Sequence, residues 1–230
     1  QAREVANMGE KRTIKTADGT TSDGWQGKPQ GMIKAGMVVI QEIFGVNNHI
    51  RNVTNRFAAD GYLALAPAMF DRRKKDVELG YTPEGIAAGR EIAMSLKPAE
   101  IMADVAGAIK ALRAQGCAKV GIVGFCFGGT VAWRAAADAD VDAAVGYYGG
   151  GVYGLRDLKP RVPTALHFGD KDAHIPMDQV RAVADMHPEV EVHIYAADHG
   201  FHCDERGSYD ATAARTAYAR TLEFFGKHLK

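Results

Sequence analysis

The chain has 230 residues, 47% of them hydrophobic and 24% charged, which suits one large α/β domain or two small ones. Lys and Arg together number 28, as do Asp and Glu, so no bulk charge draws the protein to nucleic acid or an anionic membrane, and a small-molecule partner is expected. The three cysteines, Cys117, Cys126 and Cys203, show no CxxC or zinc-like spacing, which suggests no disulfide framework and no metal site and favours a reducing compartment.

No apolar run approaches transmembrane length, and the opening QAREVANMGEKR lacks a secretory signal core; a cytoplasmic protein with a start open to processing is expected. Residues 1–36 are polar and glycine-rich, with a weak strand over 12–16 and turn signals at Asp18-Gly19 and Asp23-Gly24. They predict a hairpin at a sheet edge. The run GMVVIQE at 36–42 reads as a buried strand ending on the carboxylate Glu42. After a loop at 43–47, Asn48 is placed to cap a helix over 49–60 whose Ile50, Val53, Phe57 and Ala58 share a face. Gly61 stops it, and Tyr62–Pro67 is the next strand. The charged excursion MFDRRKKDVELGY at 69–81 is expected to loop over the sheet with a solvated face. Helices follow at 83–96 and from Pro98, the second with Ile101, Val105, Ala108, Ile109 and Leu112 at helical spacing.

Further strands are expected at 120–123, 142–148, 164–169 and 190–195, with an open glycine segment at 149–151. A helix is expected at 177–186, and a C-terminal one capped by Ser208 or Asp210. Strands alternating with helices predict one doubly wound α/β domain over residues 1–230, on a mostly parallel sheet.

Within it, KVGIVGFCFGGT at 119–130 reads as strand, glycine-flanked turn and helix, the nucleophile-elbow pattern with Cys126 at its centre. The turn is strained, so its flanking positions must lack side chains. The helix that follows aims its positive dipole end at the thiol and favours the thiolate. Taken alone, the stretch also fits a phosphate-binding glycine loop or a turn around a buried cysteine.

In such sheets ligands bind beyond the carboxyl ends of the strands. Glu42, Cys126, Asp172 and His199 fall there, and nucleophile, acid, histidine is the chain order of the α/β-hydrolase triad. Asp170 and His174 compete with Asp172, and His202 is the rival of His199 or lines the pocket. His167 lies within a strand and reads as a satisfied core residue, and Cys117 and Cys203 as inert thiols.

GFCFGG, VIQEIFGVN, GDKDAHIP and DHGF together resemble the dienelactone hydrolase family, from about the first buried strand onward. The resemblance implies an α/β-hydrolase fold and a cofactor-free, metal-free cysteine hydrolase of a small ester or lactone. It makes Cys126 the nucleophile, His199 the base and acid, Asp172 its orienter, and Glu42 a contact of the resting thiol that helps generate the thiolate. The oxyanion hole becomes the backbone N–H groups of Ile43 and Phe127. The family's best-known members hold a substrate carboxylate with two arginines. Here the position after the catalytic histidine falls at Cys203, with Arg206 displaced, and the other arginine corresponds to Arg90, Arg72 or Arg73. Arg90, His202, Cys203 and Tyr148 are the candidate substrate contacts. A non-catalytic small-ligand-binding protein on the same scaffold and a redox-sensing thiol protein are the competing classes. A monomer or weak homo-oligomer is expected.

Overall fold

The computed structural model describes residues 9–230; the expectations for the first eight lie outside that range. Eight strands form one sheet: β1 (Gly9–Lys15), β2 (Thr21–Gly27), β3 (Ala35–Ile40), β4 (Tyr62–Pro67), β5 (Val120–Phe125), β6 (Ala143–Tyr147), β7 (Thr164–Gly169) and β8 (Glu191–Tyr195). Their spatial order is β1-β2-β4-β3-β5-β6-β7-β8. β1 and β2 are antiparallel to each other and β2 to β4, and every later pairing is parallel. The edge hairpin anticipated near the N-terminus is this β1–β2 pair. Asp23-Gly24 sits inside β2 rather than in a turn, with Gly24 leaving room for the Ile14 side chain.

Every residue of β3, β4, β5, β6 and β7 is buried, as a parallel sheet covered on both faces demands. The helices are α1 (Asn48–Ala59), α2 (Pro83–Ser95), α3 (Pro98–Ala114), α4 (Phe127–Asp138), α5 (Met177–Met186) and α6 (Ala211–His228). On one face Phe57 of α1, Val180 and Val183 of α5 and Phe225 of α6 join the sheet's Met37, Val39 and Val145. On the other, Val105, Ile109 and Leu112 of α3 and Val131 and Ala135 of α4 cover Val38, Ile40 and Ile122.

The helices expected to open at Pro83, Pro98 and Met177 do so, and the start of α1 differs by one residue. Asn47, not Asn48, caps α1 by accepting the Ile50 N–H at 3.1 Å, and Asp210 caps α6 by accepting the Ala213 N–H at 2.9 Å. The charged excursion is less solvated than expected. Arg72 reaches back to the buried Asp104 at 2.9 Å and to Asp18, so its charge ties the loop to α3. The return of the loop bridges to Gly45, whose φ of +85° and contact with the Val77 carbonyl only glycine tolerates.

Candidate functional site

β5 runs directly into α4 through Cys126, which adopts φ +59° and ψ −117°. A non-glycine residue there stores about 1–3 kcal/mol of strain, so the surroundings must hold it. The Cys126 N–H donates to the Tyr147 carbonyl at 3.0 Å. A Cβ on Gly124 would lie 1.8 Å from the Gly128 carbonyl oxygen, and one on Gly128 2.3 Å from that of Ile40. The glycines of the motif are thus required by backbone packed on backbone. α4 begins at Phe127, two residues earlier than the run from Gly129 that the sequence suggests, so Cys126 stands at the helix N-terminus, its carbonyl accepting the Gly129 N–H at 2.9 Å.

Two loops bring the other polar groups to this point. Asp172 follows β7 and is buried; one of its oxygens accepts the His174 N–H at 2.9 Å. The other lies 2.7 Å from Nδ1 of His199, from the loop after β8. Nε2 of His199 lies 3.1 Å from the Cys126 sulfur. Carboxylate, imidazole and thiol therefore form one continuous line. Burial opposes a charge on His199, but the hydrogen bonds to Asp172 and Cys126 outweigh it and raise the imidazole to about 10. Asp170 and His174 are exposed, and the His174 ring stands 5.4 Å from that of His199 at the mouth of the site.

Glu42, just beyond β3, is fully buried and faces a different set of neighbours from the one the resemblance implied. Its hydrogen-bonding partners among the described residues are Arg206 (Nη1 to Oε2, 3.3 Å) and the Tyr81 hydroxyl, which donates to Oε1 at 3.2 Å; the thiol is engaged by His199 instead. Asn47 donates to Tyr81 in turn at 3.0 Å. The Arg206 guanidinium lies over the rings of Phe44 and Tyr81, 5.4 and 5.5 Å from their centroids. It also passes over Gly200, where φ is +78° and a Cβ would meet it at 2.6 Å.

A cavity of about 390 Å³ opens in front of the sulfur. Cys126, His199, Arg90 and Arg206 line it together with Ile43 and Phe127. Arg206, displaced in the sequence from the position the resemblance gives to an arginine, is therefore at the cavity wall. Two substrate-contact candidates are corrected. Cys203 is fully buried beside Glu42 and Tyr81, where burial and the Glu42 charge push its thiol up to about 12. His202 points away from the sulfur, stacked on Phe125 at 5.3 Å, and faces a separate cavity between α1 and α6; burial lowers it to about 3. Tyr148 has no exposed surface; its ring lies 5.1 Å from that of His199, and φ is +37°. His167 is a core residue, hydrogen-bonded to the Tyr195 and Thr221 hydroxyls at 2.9 and 3.1 Å. Tyr81 was missed altogether, since nothing in the spacing of a charged loop reveals which side chain turns inward.

A mostly parallel sheet, a strained strand–turn–helix elbow around Cys126 between β5 and α4, and an acid and a histidine delivered by the loops after β7 and β8 define an α/β hydrolase. The dienelactone hydrolase family model matches residues 23–229, and the chain belongs to that family. It is 38% identical over 212 residues to a Synechocystis sp. protein provisionally named carboxymethylenebutenolidase, covering 84% of this chain and 86% of that one. It is 34% identical over 224 residues to the carboxymethylenebutenolidase of Pseudomonas putida, covering 92% and 94%. A crystal structure from Klebsiella pneumoniae, provisionally described as a dienelactone hydrolase, is similar with a TM-score of 0.81 at 28% identity, covering 96% of this chain and 100% of that one. The protein is accordingly a hydrolase of the carboxylic ester and lactone class. Among the described residues no helix is long and apolar enough to cross a membrane.

Proposed function

We propose that the protein opens a small ester or lactone carrying a carboxylate, by acyl transfer to Cys126. The observation that carries this reading is the line from Asp172 through His199 to Cys126, at 2.7 and 3.1 Å, ending at a cavity whose wall also holds Arg90 and Arg206. In this reading His199 takes the thiol proton and the thiolate attacks the carbonyl carbon. Asp172 stabilises the resulting imidazolium, in keeping with the raised affinity of His199 for a proton.

The tetrahedral oxyanion is held by the N–H groups of Ile43 and Phe127, a contribution worth a factor of about a hundred to a thousand per donor in comparable sites. His199 then protonates the leaving alkoxide, giving a thioester on Cys126. It next draws a proton from water, whose hydroxide attacks the thioester and frees the acid and the thiol. Arg206 has donors left over after its single contact with Glu42, and with Arg90 it suits a substrate carboxylate.

Turnover of p-nitrophenyl acetate by wild type, Cys126→Ala and His199→Ala tests the mechanism, together with mass spectrometry of the intact protein during turnover. The expected result is an acetylated Cys126 in wild type and loss of turnover in both variants. Equal rates in all three proteins would overturn acyl transfer to Cys126.

A further inference from the structure

One buried cluster lies behind the catalytic cavity and is not used by the reaction. A carboxylate oxygen of Glu42, a ring nitrogen of His49 and the sulfur of Cys203 all lie within 4.8 Å of one another, and all three side chains are buried. They come from three separate parts of the chain: the end of β3, the first turn of α1 and the loop after β8. Hydrogen bonding accounts for Glu42 through Arg206 and Tyr81, but not for His49. Nε2 of His49 is buried without a hydrogen-bond partner among the described residues, a condition that costs about 1–3 kcal/mol when nothing offsets it.

The other ring nitrogen, Nδ1, stands 3.9 Å from the Asp204 carboxylate. This is an ionic contact and not a hydrogen bond, but it puts a carboxylate on one side of the ring and leaves the second nitrogen facing the cluster, as in metal-binding histidines oriented by a carboxylate. Thiolate, imidazole and carboxylate together match the preferences of a borderline-soft divalent ion that accepts four ligands. A cavity between α1 and α6, about 360 Å³, is bordered by His49 and Asp204 and so reaches the solvent side of the imidazole.

We propose that Glu42, His49 and Cys203 form a binding site for a zinc-class divalent cation, with His49 Nε2 as the nitrogen ligand and Asp204 orienting the ring. A solvent oxygen completes the tetrahedron. Binding replaces the S–H bond of Cys203 by an S–metal bond and releases one proton to solvent, so thiolate and Glu42 carboxylate together balance the charge of the ion. Because Glu42 also holds Arg206, an ion at this position loosens Arg206 from its buried partner and couples metal availability to the catalytic cavity. The cation is therefore a regulator of the site and takes no part in the chemistry.

The test uses Cys126→Ala protein, so that the catalytic thiol cannot serve as a ligand and the outcome does not depend on the acyl-enzyme reading. Calorimetric titration with zinc chloride is expected to give one equivalent bound with release of a proton. Cobalt(II) is expected to give a thiolate-to-metal charge-transfer band. Adding Cys203→Ser abolishes the band, adding His49→Gln weakens zinc binding more than tenfold, and Asp204→Asn weakens it about tenfold. Circular dichroism and thermal midpoints check that each variant is folded. If His49→Gln does not fold, the exposed Asp204 decides the matter, because Asp204→Asn leaves the core untouched. Absence of zinc binding by Cys126→Ala, a cobalt complex lacking the sulfur band, or affinity unchanged in Asp204→Asn overturns the proposal.

Discussion

Replacing Arg206 by Gln removes a charge while keeping a polar side chain of moderate length, and it separates two effects. The first is on stability. The Glu42 side chain is fully buried and that of Arg206 is 16% exposed, so the variant leaves a buried carboxylate without its counter-charge. Removing one member of such a pair costs about 3–5 kcal/mol. The single contact at 3.3 Å and the residual solvation of Arg206 place the cost near the lower end, about 3 kcal/mol. For a chain of this size that lowers the melting temperature by roughly 6–12 °C. The double variant Glu42→Gln/Arg206→Gln removes the buried charge as well and is expected to recover most of the loss.

The second effect is on substrate. A charge-assisted hydrogen bond is worth about 1.5–3 kcal/mol, so KM for an ester bearing a carboxylate is expected to rise roughly 10–150-fold, with p-nitrophenyl acetate changed by less than about threefold. Differential scanning calorimetry on both proteins and initial rates on a matched pair of neutral and anionic esters make the comparison. Equal losses on both esters refute a substrate role for Arg206. An equally low melting temperature in the double variant refutes the buried-charge argument.

Asp172→Asn is expected to preserve the fold and lower turnover by about 10⁴-fold, because the imidazolium loses its buried partner; a loss under tenfold would sink the triad reading. His199, raised to about 10, binds its proton more tightly in the folded protein than the free imidazole does. Its contribution to stability is therefore fully present below pH 6.5 and disappears as pH rises through about 10, and turnover falls over the same alkaline limb as the imidazolium needed by the alkoxide is lost. A rate that continues to climb past that point contradicts the assignment. His202 has the opposite sign: it stays neutral in the fold down to about pH 3, while the unfolded chain takes up its proton near pH 6.5. This residue thus removes about 1.4 kcal/mol of stability per pH unit of acidification within that window. His202→Phe should spare about 2 kcal/mol between pH 6.5 and 4.5 in urea unfolding, and an unchanged pH slope would exclude His202 as the cause.

Much of the site was legible from residues close in sequence. The apolar runs, the proline and glycine stops and the capping residues encode strands and helices locally. The parallel topology then sets all strand carboxyl ends at one edge, so Glu42, Cys126, Asp172 and His199 converge there for any sequence with this alternation. GFCFGG was readable for the further reason that its glycines answer to contacts within the motif itself, Gly124 against the Gly128 carbonyl.

What only the tertiary structure decided lies in the path of the chain after His199. Gly200 takes a left-handed conformation, and successive turns from Gly200 to Cys203 and from Cys203 to Arg206 fold the loop back on itself. That path buries Cys203, turns His202 toward α6 and lays Arg206 over Phe44 and Tyr81 against Glu42. Hydrophobic period and motif spacing carry no information about such a path, because it is fixed by which long-range partners a loop meets and not by any repeat along the chain. The same fact explains why the Glu42–His49–Cys203 cluster, joining residues up to 161 positions apart, has no signature in the sequence.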